Sequence, residues 1–120
     1  MLRMTRRCLL GLAIAGVAAA PAALAHHGWG SYEAGTVLTL DGIVEVINTD
    51  NPHAELRLKV KEKVWLVTLS PPFRMANRGK PITDIKVGDK VIAVGYPNRG
   101  NPGEIRAERI THNGVTVELR

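Results

Sequence analysis

Sulfur is nearly absent from this chain. Its one cysteine, Cys8, sits in an apolar stretch near the start, and two of its three methionines, Met1 and Met4, lie just before it. Beyond residue 25 there is no cysteine and a single methionine, Met75. That excludes a disulfide framework, a thiolate nucleophile and a sulfur-rich metal cage in the body of the protein. Long apolar runs are missing as well. The longest, Cys8 to Ala20, is rich in Ala and Gly and falls short of the ~20 residues a membrane span needs. No stable membrane span is therefore expected in the mature form. Charge of one sign is scarce once the start is set aside. The net charge is +5, but Arg3, Arg6 and Arg7 supply three of those charges, and without them the balance is only +2. Such a balance gives no footing for nucleic-acid binding. Catalytic signatures are also lacking: there is no nucleophile elbow, no Gly-rich phosphate loop and no pair of acids in a cleft motif. Asp41 and Glu45 share a strand and read as acids facing water. The chain reads as a binding or accessory protein, not an enzyme.

What is present begins with a leader. Arg3, Arg6 and Arg7 precede the apolar run, and Ala23-Leu24-Ala25 closes it as a small-x-small cleavage site. This is the layout of a secretory signal peptide over residues 1–25. Thr5-Arg6-Arg7-Cys8-Leu9-Leu10 resembles a twin-arginine export motif, with an ordinary Sec n-region as the favoured reading. Either route leads to the bacterial periplasm. Cys8 follows two arginines, not the small and apolar residues that precede a lipoprotein cysteine. Cleavage after Ala25 leaves ninety-five of the 120 residues and a chain that starts His26-His27. That is one small domain with a single core.

Residues 26–35 (HHGWGSYEAG) are Gly-rich and polar and read as an extended N-terminal arm. The domain proper is expected over 36–120. Val37 to Ile47 is a long β-rich segment, with Asp41-Gly42 expected as a bend or bulge. Asn48 to Pro52 is a turn cluster. Leu56, Leu58 and Val60 alternate with charged residues, as a strand with one buried face does. Val64 to Leu69 is a further strand, stopped by Pro71-Pro72. Phe73 to Arg78 reads as a short helix ended by Gly79. Val91 to Tyr96 is a strand, 97–103 a loop, and Ile105 to Ile110 meets Val115 to Leu119 across Asn113-Gly114, a type I′ hairpin signal. The order of strands, short helix and strands predicts an all-β fold. The expectation is a small OB-like barrel of five or six strands with a short helical insertion. A small sandwich is the alternative.

Several segments together resemble a family of small exported bacterial proteins, the domain-of-unknown-function family 6152. They are Ala25-His26-His27-Gly28, Leu40-Asp41-Gly42-Ile43-Val44, Asn51-Pro52-His53-Ala54, Trp65, Ser70-Pro71, Arg78-Gly79, Lys86-Val87-Gly88-Asp89-Lys90-Val91 and Gly95-Tyr96-Pro97. The resemblance supports the fold and the exported location and supplies no function. A second similarity is to small periplasmic OB-fold copper chaperones. There a strand histidine, two methionines and a tryptophan hold Cu(I). His53 and Trp65 match that set, while the methionine pair has no counterpart.

The histidines carry the chemistry. An N-terminal His26 chelates a metal through its amino nitrogen and ring Nδ1, and a second imidazole completes a three-nitrogen site suited to Cu(II). The α-amino pKa of about 8 makes its deprotonation on metal binding inexpensive. His53 is the expected partner and His27 the auxiliary. His112, beside the Asn113-Gly114 turn, is expected to be exposed at a hairpin tip. For His26 and His53 to share a metal, the arm must fold back over the Asn51-Pro52-His53 turn. Trp29 and Tyr32 are expected to pack the arm onto the barrel, with stacking on a ligand as the alternative, and Trp65 to fill the core or barrel mouth. Arg57, Lys59, Lys61, Arg106 and Arg109 are expected to form a solvated face. The functional expectation is a periplasmic metal-binding accessory or carrier protein for copper ion. The alternative is a non-metal module that binds a periplasmic protein partner or a glycan.

Overall fold

The computed structural model describes residues 28–120, so the expected leader, His26 and His27 lie outside the described residues. Alternation of apolar and polar residues builds six strands. They are β1 (Leu38–Asn48), β2 (Glu55–Val60), β3 (Lys63–Thr68), β4 (Lys90–Pro97), β5 (Glu104–His112) and β6 (Val115–Glu118). The sheet order is β3-β2-β1-β4-β5-β6, and a parallel β3–β5 pairing closes the first five strands into a barrel. A helix, α1 (Pro72–Asn77), lies between β3 and β4. This is a small OB-like all-β barrel, as the residue pattern predicts, and the sandwich is excluded by the closure.

The interior is filled by side chains from every barrel strand. Leu56, Leu58, Val67, Val91, Ala93, Ile105 and Ile110 have no exposed surface, and Met75 of α1 joins them. Pro72 opens α1, where its missing N–H costs nothing. Gly79 follows the helix at φ +89, a conformation that favours glycine. Asn113 and Gly114 both take positive φ, 49 and 74, as a type I′ hairpin requires. Among the described residues no helix is long and apolar enough to cross a membrane.

Two bulges depart from the simple alternation. The first lies at Glu45, not at Asp41-Gly42: Val44 opposes Leu58 and Val46 opposes Arg57, so Glu45 is the extra residue. Val44 faces the core and turns its backbone to the Lys86–Asp89 turn, with Gly88 N–H donating to its carbonyl and its own N–H to the Asp89 carbonyl. The second is at Glu108, between the Gly95–Ala107 and Val94–Arg109 pairs. An extra residue reverses which side chains face inward. Ile105 and Ala107 point into the core before it, and Ile110 and His112 after it.

His112 is consequently buried, with its side chain fully covered, and not exposed at a hairpin tip. Its Nε2 lies 2.8 Å from Asp89 Oδ2, and its Nδ1 lies 3.1 Å from Lys80 Nζ. An ammonium can only donate, so Nδ1 accepts and Nε2–H donates to the carboxylate. The imidazole ties the segment after α1 to the turn before β4.

Candidate functional site

The arm is a structured part of the barrel wall from Gly28 onward. Trp29–Ser31 form a single 3-10 turn, and Tyr32 pairs with Asn98 in an isolated antiparallel bridge. Glu33 N–H donates to the Pro97 carbonyl at 2.8 Å, and Arg99 N–H donates to the Ser31 carbonyl at 2.9 Å. Trp29 meets Tyr96 edge-on, with centroids 6.0 Å apart, and tilts against Tyr32 at 6.5 Å. The expected packing of Trp29 and Tyr32 onto the barrel is therefore observed.

Under this arm lies a cavity of about 280 Å³, lined by Gly28, Tyr32, Pro52, His53, Glu55, Thr68, Glu104 and Arg106. Its floor is the outer face of the barrel. Thr68 of β3 pairs with Glu55 of β2 on one side and with Arg106 of β5 on the other. Cross-strand partners share a face, so Glu55, Thr68 and Arg106 form a polar row across three strands. Strand alternation sends their neighbours Leu56, Val67 and Ile105 into the core.

A half-buried carboxylate joins the roof to the floor. Glu104 Oε1 accepts a hydrogen bond from the Tyr32 hydroxyl at 2.7 Å and one from Thr68 Oγ1 at 2.9 Å. Burial, then the bond to Glu104, raises the Tyr32 phenol above its ordinary pKa. Arg106 is only 6% exposed, and among the described residues its Nε has no acceptor. Its guanidinium carbon lies 4.3 Å from the Trp29 ring centroid and 5.9 Å from that of Tyr32. Burial lowers the Arg106 pKa from its usual value, although a guanidinium stays charged in proteins.

His53 lines this cavity, beside a cis Asn51–Pro52 peptide bond. Gly28, the residue that follows His27, lines it too. Among the described residues no cluster of three or more His, Cys, Asp or Glu side chains is arranged to hold a metal ion. Trp65 is half-buried against the core, with Lys63 Nζ 3.7 Å from its ring centroid, and lines a separate depression beside Leu40 and Val60. It lies three residues before Thr68 on β3, on the opposite face by strand alternation, and does not join His53 around this cavity.

The solvated-face expectation holds for Arg57, Lys59 and Lys61, which are exposed, and Arg109 bonds Glu118 at 2.9 Å. It fails for Arg106. Strand alternation correctly directs Arg106 outward, but the arm lands on it. Glu55, Thr68 and Glu104 are site residues that the sequence pattern does not mark. The signal that bears on them is the pair of aromatics, Trp29 and Tyr32, in an otherwise polar arm.

A model of a family of unknown function (DUF6152) matches residues 14–106. A search of curated proteins finds no match. Among solved structures, one similar to this chain is the crystal structure of the S. pombe Stn1-Ten1 complex, with a TM-score of 0.53 and 15% identity. The match covers 63% of this chain and spans 57% of the length of that one. At that identity the likeness concerns the fold alone.

Proposed function

For this chain, which belongs to the family of unknown function DUF6152, we propose a role as an exported, periplasmic metal-binding accessory or carrier protein for copper. It is a binding protein and not an enzyme in this reading. His26 is the first ligand, through its amino group and imidazole after cleavage behind Ala25. His53 is the partner and His27 the auxiliary. One observation carries the reading: Gly28 and His53 line the same cavity. His27 is one peptide unit from Gly28 and His26 two, and each unit advances the chain by at most ~3.8 Å. That span of chain is short enough for two imidazoles and a new amino terminus to reach the cavity that His53 lines. Nitrogen donors of this kind suit Cu(II).

The test is titration of the exported, processed protein with Cu(II), read by quenching of Trp29. His53→Ala, or one extra residue before His26, is expected to weaken binding at least about tenfold, a loss of ~1.4 kcal/mol. Protons compete for the same nitrogens, so quenching is expected to fade as pH falls through ~6.5, to be lost by about pH 5, and to return at neutrality. Unchanged affinity in both variants removes the site. A protein-partner or glycan-binding module is then the reading that stands.

A further inference from the structure

We propose that the floor of the same cavity binds a small zwitterion of the amino-acid class, its carboxylate on Arg106 and its ammonium on Glu55. The proposal uses neither the histidines nor a metal and stands apart from the copper reading.

Arg106 is the first observation. A guanidinium this deeply buried is normally paired with a carboxylate, because desolvating an unpaired charge is costly. Here no carboxylate among the described residues lies within 4.0 Å of it. Glu104 sits on the same strand face two residues away, but its Oε1 is held by Tyr32 and Thr68. Trp29 covers the guanidinium, and among the described residues nothing accepts from Arg106 Nε. The group therefore has planar, fork-shaped donor capacity beside an open cavity, and a carboxylate matches that geometry.

Glu55 is the second. It occupies the other end of the row and lines the cavity, and no hydrogen bond or ion pair links it to Arg106. Thr68 stands between them in register, so two strand spacings of ~4.8 Å separate the backbones of Glu55 and Arg106 by roughly 10 Å. Opposite charges face one cavity across a short polar residue without closing on each other.

Charge decides the ligand class. A simple anion gains Arg106, with Arg74 and Arg120 near it, but meets Glu55 and Glu104 on the cavity lining. A simple cation gains the carboxylates and leaves Arg106 unpaired, as does a copper ion held by the histidines. A zwitterion satisfies both ends. The volume, about 280 Å³, lies just below the ~300 Å³ lower end for drug-sized ligands and fits a molecule of a few heavy atoms.

The experiment titrates the full protein in EDTA with glycine, acetate, methylamine and phosphate. Trp29 fluorescence in a Trp65→Phe background is the readout, with calorimetry alongside. Glycine is expected to give a saturable response, with acetate and methylamine at least about tenfold weaker. Arg106→Gln is expected to abolish it. Glu55→Gln, a change at a side chain with no hydrogen bond or ion pair to another described side chain, is expected to erase the advantage of glycine over acetate. Circular dichroism establishes that each variant is folded. No saturable response to glycine in the folded protein overturns the proposal. So does phosphate or acetate binding as tightly as glycine, which marks a simple anion site. A folded Arg106→Gln or Glu55→Gln protein that binds glycine as before overturns it equally. EDTA separates this outcome from that of the copper titration.

Discussion

Replacing Tyr32 with Phe tests whether the arm is bonded to the barrel or merely lies on it. The ring is 8% exposed, and its hydroxyl makes a 2.7 Å bond to Glu104 Oε1. Phe keeps the packing and removes one donor. Hydrogen bonds to charged groups contribute roughly 1.5–3 kcal/mol. Thr68 continues to donate to the same oxygen at 2.9 Å, which places the expected loss at the lower end, about 1.5–2 kcal/mol. For a domain of this size that corresponds to roughly 6–16 °C in Tm. Urea unfolding followed by far-UV circular dichroism measures it. Thr68→Val removes the second donor and is expected to cost a similar amount. The double variant is expected to lose more than the sum, because Glu104 then keeps only the 3.4 Å contact from Asn101.

The pH dependence supplies an independent check. The folded pKa of Tyr32 is raised by burial and by Glu104. The folded state thus holds the phenolic proton more tightly than the unfolded chain does. The associated stability is complete below the unfolded pKa of about 10 and is lost as pH rises through the higher folded value. Tyr32→Phe is therefore expected to flatten part of the alkaline decline and leave the part due to Tyr96, whose pKa is raised by its bond to Glu108. A loss below about 0.5 kcal/mol, or an alkaline decline parallel to that of the parent, refutes the bonded-arm argument.

Two further substitutions probe the barrel. A Cβ at Gly95 would run into the carbonyl of Arg106 and the Cα of Ala107, backbone atoms that cannot step aside. Gly95→Ala is expected to cost at least about 2 kcal/mol in urea unfolding, and a neutral result would show the β4–β5 crossing to be looser than drawn. Asp89 has its pKa held below the usual 3.8, first by the Lys86 backbone N–H and then by His112. Its contribution is present above that usual value and is lost as pH falls through the lower folded one. Asp89→Asn is expected to be less stable at neutral pH and to show a shallower acid decline below about pH 4, followed by circular dichroism.

The elements that depend on local pattern were readable before the fold was seen. Leu56 and Leu58 alternate with Arg57 and Lys59, and the buried face follows. Pro72 and Gly79 bracket the helix, and Asn113-Gly114 makes its turn. Misreadings arise where pairing decides. The bulge at Glu108 depends on how β5 meets β4. It alone turns His112 inward, so a polar residue next to a turn became a core residue. Arg106 shows a different limit. Alternation along β5 gives its direction correctly, but what covers it comes from a segment more than seventy residues away in the chain. One lining residue of the candidate site, His53, is legible from its turn. The rest of the site exists because the arm docks on a strand face that the pattern marks only as polar.

That docking also explains why the site lies outside the barrel. A five-stranded barrel filled by Leu56, Leu58, Val67, Ile105 and Ile110 leaves its interior to side chains, so a ligand of either proposed kind would be held on the wall. An open wall is a poor place to hold one, because water competes for every charged group. The arm changes that balance locally. Trp29 and Tyr32 shield Arg106, and Tyr32 fixes Glu104 so that it does not neutralise the guanidinium at ion-pair range. The same segment leads back through Gly28 to the histidines on which the copper reading rests. In the two proposals the arm would be both the roof that strengthens charge recognition on the wall and the segment that leads to His26 and His27. Loosening it by Tyr32→Phe should weaken glycine and Cu(II) binding together, even though Tyr32 is a ligand for neither.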